Sequence, residues 1–137
     1  MAKIRDRSGF SLIELMVVIL IVGVLVAVVT PILRDKNEAS KWTEAAATAG
    51  TIRSVVRAEF AKDPTKVAAW TNQAVTGVMS DLGFKAGDLT GRYFDDSHFT
   101  IDSVDAANGN ATITVTTPAG LTGTGQLDSA NGWVYTP

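Results

Sequence analysis

From Leu15 to Val29 every position is apolar or glycine. Such a run has no polar face, so its length carries the information. Counted from Phe10 to Leu33, it is long enough to cross the apolar core of a bilayer as a helix. Polar residues enter at Arg34, and the pattern changes. Trp42, Ala45, Ala49, Ile52, Val56 and Phe60 recur at steps of three and four, which marks one apolar stripe on a helix. Charged residues from Arg34 to Glu59 populate the rest of its surface. Asp63-Pro64 stops the pattern. A helix is therefore expected over residues 10–62, about 80 Å long if continuous.

Residues 64–92 are mixed. Val67–Trp70 and Ala74–Met79 read as short helical turns, and Gly83, Gly87 and Gly91 break the chain into a loop. From Tyr93 the period becomes two. His98–Val104 and Ala111–Thr116 alternate, with the turn formers Asp105 to Asn110 between them and Asn108-Gly109 as a hairpin signal. Gly125–Asp128 and Gly132–Tyr135 read as two further strands. The expectation is an antiparallel meander of three or four strands with one face on the helix stripe. No internal repeat is evident.

The chain has 137 residues, which is enough for one domain. It has no cysteine, so disulfides, thiolate metal sites and cysteine nucleophiles are excluded. The formal net charge of −2 argues against nucleic acid as the main partner. Charge is unevenly spread. Lys3, Arg5 and Arg7 precede the apolar run, which should hold the N-terminus in the cytoplasm. From Asp81 onward acids outnumber bases.

Three ordinary explanations of the N-terminal run compete. A cleaved secretory signal should end at small residues, but this run ends Val28-Val29-Thr30-Pro31. A plain membrane anchor explains the length and the basic flank but not Glu14. A buried helix of a soluble protein is too short for such a run. Glu14 is the only ionisable residue between Arg7 and Arg34. A carboxylate in apolar surroundings costs several kcal/mol, on the order of 3, unless paired or protonated. Arg7 lies seven residues back, about two helical turns. The partner is expected from another molecule or from a newly made N-terminus.

Gly9-Phe10-Ser11-Leu12-Ile13-Glu14 resembles the processing motif of type IV prepilins and type II secretion pseudopilins. In that family a membrane peptidase cuts after the glycine, and the new N-terminal phenylalanine is N-methylated. Glu14 then holds the fifth position of the mature chain, Pro31 the twenty-second, and Gly23 also fits the pattern. The resemblance covers about the first quarter of the chain. It implies that Glu14 neutralises the terminal amine of a neighbouring subunit in a filament. Pro31 removes a helix hydrogen bond and crowds the preceding turn, so a kink or local opening is expected near residues 27–31, with Gly23 a second soft point.

Other candidate chemistry is thin. His98, the single histidine, stands beside Asp95 and Asp96 without a nucleophile in family spacing, and reads as structural. Asp102, Asp105, Asn108 and Asn110 are hard oxygen donors, but their spacing does not fit an EF-hand loop, and turn chemistry accounts for them. Calcium enters only through the resemblance, because major pseudopilins bind it in a C-terminal loop. The matching motif is absent, so no cofactor and no metal site is expected, with calcium as the alternative that the resemblance leaves open. Arg53, Ser54 and Arg57 form no phosphate loop, and no zinc motif occurs. Trp42 and Trp70 read as core.

The expected fold class is α+β: a long N-terminal helix whose C-terminal half packs on a small antiparallel sheet. Residues 1–9 would be a cytoplasmic leader, 10–62 the helix with 10–33 as membrane and filament core, and 63–137 the small globular domain. The expected function is structural and not enzymatic. The resemblance implies an inner-membrane precursor, single-pass with its N-terminus cytoplasmic. It also implies a homo-oligomeric filament, a prepilin peptidase and an inner-membrane assembly platform. The destination would be a surface pilus, or a periplasmic pseudopilus as the alternative. An uncut, membrane-anchored binding module is the reading from another class.

Overall fold

The computed structural model describes residues 9–137, so all but the last residue of the expected leader lies outside the described residues. Helix α1 runs Leu12–Phe60. It ends where Asp63 takes over as a cap: its carboxylate accepts the Lys66 N–H at 3.0 Å and opens α2, Pro64–Ala68. Pro64 sits in the first turn of α2, where a missing N–H costs nothing. Then follow β1 (Gln73–Ala74), α3 (Val75–Val78), a 3₁₀ turn (Asp96–His98), β2 (Phe99–Val104), β3 (Ala111–Val115), β4 (Thr124–Asp128) and β5 (Gly132–Thr136). The five strands form one antiparallel sheet in sequence order. The class is α+β, as expected.

Two differences from the expectation concern the segment before the sheet. The helical turn expected over Ala74–Met79 begins one residue later, at Val75. The residue it loses joins Gln73 as a fifth, two-residue strand against Thr100 and Ile101. Both of its residues are exposed, so no alternation of buried and exposed positions could announce it.

The described residues divide into two compact units, one ending at Lys36 and the other Asn37–Pro137. The hydrophobic core belongs to the second. Trp42, Ala45, Ala49, Ile52 and Val56 of the helical stripe are all buried, and Phe60 is partly buried against the same cluster. The sheet meets them with two cross-strand rows, Phe99–Val115–Gly125–Tyr135 and Ile101–Ile113–Leu127–Trp133. Between them Thr100, Thr114, Gln126 and Val134 form the row on the other face. There Gln126 donates to the Asp102 carboxylate at 3.1 Å and to Thr114 Oγ1 at 3.0 Å.

Gly125 is the one gap in the inner rows, and Trp42 occupies it. A Cβ at Gly125 would stand 2.5 Å from the Trp133 ring and 2.8 Å from that of Trp42. Trp42 lies 5.3 Å from Tyr135 and 5.0 Å from Phe94 by ring centroids, tilted rather than stacked face to face. Its indole N–H donates to the Thr122 carbonyl at 3.1 Å, so the buried ring leaves no polar atom unsatisfied.

Two glycine substitutions should act in opposite directions. Gly125→Ala forces rings out of place and should destabilise by about 1–3 kcal/mol. Gly50→Ala, in a helix interior where a Cβ meets nothing within 4 Å, should stabilise by about 0.5–1 kcal/mol. Chemical unfolding of the full chain in detergent, followed by tryptophan fluorescence, measures both.

Candidate assembly site

Gly9 and Phe10 lie on exposed, non-helical chain immediately ahead of α1. A Cβ at Gly9 would meet nothing within 4 Å, and Phe10 is 79% exposed. Ser11 caps the helix. Its hydroxyl accepts the Glu14 N–H at 3.2 Å, and its carbonyl accepts the Leu15 N–H at 3.2 Å. Ser11-Leu12-Ile13-Glu14 has the S-x-x-E spacing of a capping box, a helix-start signal that lies inside the processing motif. Glu14 thus sits in the first turn, where the helix dipole favours a negative charge. Its side chain is exposed, and no cation among the described residues comes within ion-pair distance.

Behind Glu14 every large apolar side chain through Leu33 is exposed. None of this apolar segment is buried within the described chain. Each such side chain contributes about 1.5–3 kcal/mol when removed from water, so the segment requires cover by lipid or by other helices. Gly23 and Pro31 both lie within α1. The helix is continuous across residues 27–31. Proline removes only the bond to the Ala27 carbonyl. One residue back, Thr30 Oγ1 donates to the Val26 carbonyl at 2.6 Å.

The other residues singled out earlier serve the fold. His98 closes the 3₁₀ turn: Asp95 N–H donates to His98 Nδ1 at 3.1 Å while the Asp95 carboxylate accepts from Ser97. Asp105 Oδ1 accepts the Ala107 N–H at 2.8 Å, and Asn108 Oδ1 accepts that of Asn110 at 2.8 Å. Asp102 faces Thr114 and Gln126 instead. Among the described residues no three His, Cys, Asp or Glu side chains gather as a metal site. Arg53 donates through Nε to the Ala111 carbonyl at 3.0 Å and through its terminal nitrogen to the Asp128 carbonyl.

Carboxylates also organise the connection between α1 and β2. Asp96 accepts the N–H groups of Gly87 at 2.5 Å and Leu89 at 3.1 Å. Glu44, on the helix, accepts those of Tyr93 at 2.9 Å and Phe94 at 3.1 Å through one oxygen. Gly91 leaves room for it, since a Cβ there would stand 2.2 Å from that oxygen. Burial pushes the Glu44 carboxyl up. The N–H groups of Tyr93, Phe94 and Arg92, with the Arg92 charge, outweigh this and hold it below the ordinary value.

Residues 4–30 match the family described as the prokaryotic N-terminal methylation motif. The chain is 34% identical over 106 residues to the type IV major pilin protein PilE1 of Neisseria gonorrhoeae, a match covering 77% of this chain and 42% of the relative. The chain therefore spans less than half the length of the relative it matches. No solved structure matches it.

The sign of the Glu44 effect follows from its lowered value. Its contribution to stability is complete above the unfolded carboxyl value, near 4.3, and is lost as pH falls through the folded one. Glu44→Gln should cost about 1 kcal/mol at neutral pH and flatten the loss of stability in the acid range. Unfolding midpoints of the two chains across that range check it.

Proposed function

We propose that this chain, whose motif and pilin relative support membership of the type IV pilin family, is a structural subunit of a type IV pilus-like filament. The observation that carries the reading is the wholly exposed apolar segment of α1 with one carboxylate at its head, directly behind an accessible Gly9-Phe10 bond. The precursor is anchored by this helix in the inner membrane with its basic N-terminus in the cytoplasm. A prepilin peptidase cuts between Gly9 and Phe10, and Phe10 is N-methylated. An inner-membrane assembly platform then passes subunits from lipid to filament. Both environments cover the same apolar surface, so transfer leaves little of it in water.

Cleavage creates a cationic amine on Phe10. Glu14 of a neighbouring subunit neutralises it, because two opposite charges together in an apolar bundle cost far less than either alone. Both must first be desolvated, so the pair serves mainly to set the register between helices. The lack of cysteine favours a second destination, a periplasmic pseudopilus of a secretion system. Many pilins close their C-terminal region with a disulfide, which is impossible here. Surface fibres containing this protein at native expression would exclude that destination.

Mass spectrometry of the native protein should find a chain beginning at N-methylated Phe10. An intact Met1, or a cut near residue 30, would overturn the filament reading. Glu14→Ala should be processed normally but assemble poorly, since it leaves the amine unpaired at about 3–5 kcal/mol. Normal filament yield from Glu14→Ala would remove the charge-pairing account.

A further inference from the structure

Two turns of the sheet share a five-residue pattern, D-x-A-N-G. Asp105-Ala106-Ala107-Asn108-Gly109 links β2 to β3, and Asp128-Ser129-Ala130-Asn131-Gly132 links β4 to β5. Alternate connections of an antiparallel meander lie at the same end of the sheet, and Arg53 bridges this end by donating to Ala111 and Asp128 carbonyls. Within each turn the aspartate accepts a backbone N–H two residues on, at 2.8 Å in both, and an N–H of the asparagine side chain. Each ends in a glycine at positive φ, 70° at Gly109 and 81° at Gly132.

The two asparagines are held differently. The Asn108 amide is clamped at both ends: Nδ2 donates to Asp105 at 2.6 Å and Oδ1 accepts from Asn110 at 2.8 Å. The following Gly109 is buried, its N–H donates to the Asp105 carbonyl at 2.8 Å, and a Cβ there would meet the Phe60 ring at 2.5 Å. Asn131 is exposed, as Asn108 is, but its amide is held among the described residues through Nδ2 alone, at 3.2 Å. A Cβ at Gly132 would meet nothing within 4 Å.

We propose that Asn131-Gly132 is a site of spontaneous deamidation in the folded protein, and that the fold shields Asn108-Gly109. The Gly132 backbone nitrogen attacks Asn131 Cγ. An N–Cγ bond forms, the Cγ–Nδ2 bond breaks, and Nδ2 leaves as ammonia with the proton given up by the Gly132 amide. Water then opens the five-membered imide at either carbonyl, giving aspartate or isoaspartate. Glycine as the next residue presents no side chain to hinder the attack. The amide must rotate to expose Cγ, which the single long bond at Asn131 permits and the double clamp at Asn108 resists. The product carries a new carboxylate beside Asp128, and in the isoaspartate form one extra backbone carbon. Either change disturbs the closing pair Asp128↔Gly132 and loosens β5, whose Trp133 and Tyr135 cover Trp42. The site would act as an ageing mark on subunits that are not replaced, although the chemistry itself does not rest on the filament reading.

The test is to age the purified full-length chain in detergent at mildly alkaline pH and follow the one-dalton gain at each asparagine, located by the fragment ions of the chymotryptic peptide Thr100–Trp133 that carries both. Asn131 should gain mass at least about fivefold faster than Asn108, because local opening differs between the turns. In urea the two rates should converge. Equal rates in the folded chain, a faster Asn108, no gain at either site, or a difference that persists in urea would each overturn the proposal.

Discussion

The constraint on which the rest depends is that the apolar surface from Phe10 to Leu33 must be covered, and no described residue of this chain covers it. A soluble helix solves this problem with a stripe. This segment is apolar all round, which is the pattern of a helix surrounded by lipid or by other helices. A polar substitution anywhere on it therefore faces the same penalty, and Glu14 is conspicuous because it stands inside that surface. Its place in the first turn of α1, beside the Ser11 cap, lessens the penalty through the helix dipole. It does not remove it.

Beyond Lys36 the same helix meets the ordinary requirement of one covered face. The stripe has two small residues, Ala45 and Ala49, between the large Trp42 at its start and Ile52, Val56 and Phe60 at its end. Alanines let the sheet approach closely, and the tryptophan then needs a recess, which Gly125 provides. One glycine in a strand weakens that strand by itself. Here it is exchanged for contacts of Trp42 with Trp133, Tyr135 and Phe94, each pair contributing about 0.5–1.5 kcal/mol beyond the area it buries.

What could be read from the sequence follows from the range of each interaction. The stripe from Trp42 to Val56 and strands β2 to β5 were legible because burial repeats every three or four residues in one and every two in the others. Asn108-Gly109 marked its hairpin because the turn needs a residue at positive φ. Glu44 was not legible: its partners lie 49 and 50 residues away and are backbone groups without any side-chain signature. Gly91 and Gly125 were equally silent, since only the folded chain shows what a Cβ would strike. Strand β1 escaped because two exposed residues make no pattern. Ser11 and the paired D-x-A-N-G turns were written in the sequence and needed only the right template.

The acidic character of the distal domain takes on a different meaning once these contacts are known. Counted along the chain, the carboxylates after Asp81 look like a surface prepared for a cation or a basic partner. In the structure Asp88, Asp95, Asp96, Asp105 and Asp128 each accept backbone N–H groups in turns. A domain without disulfides, with a two-residue first strand and long connections, must satisfy those N–H groups somehow. Short carboxylates do it locally, and they do it best when ionised. The negative charge is thus first a consequence of how the loops are held. Whatever field it presents to a neighbour comes second, and the paired turns at the Arg53 end show how closely that field is tied to the loops themselves.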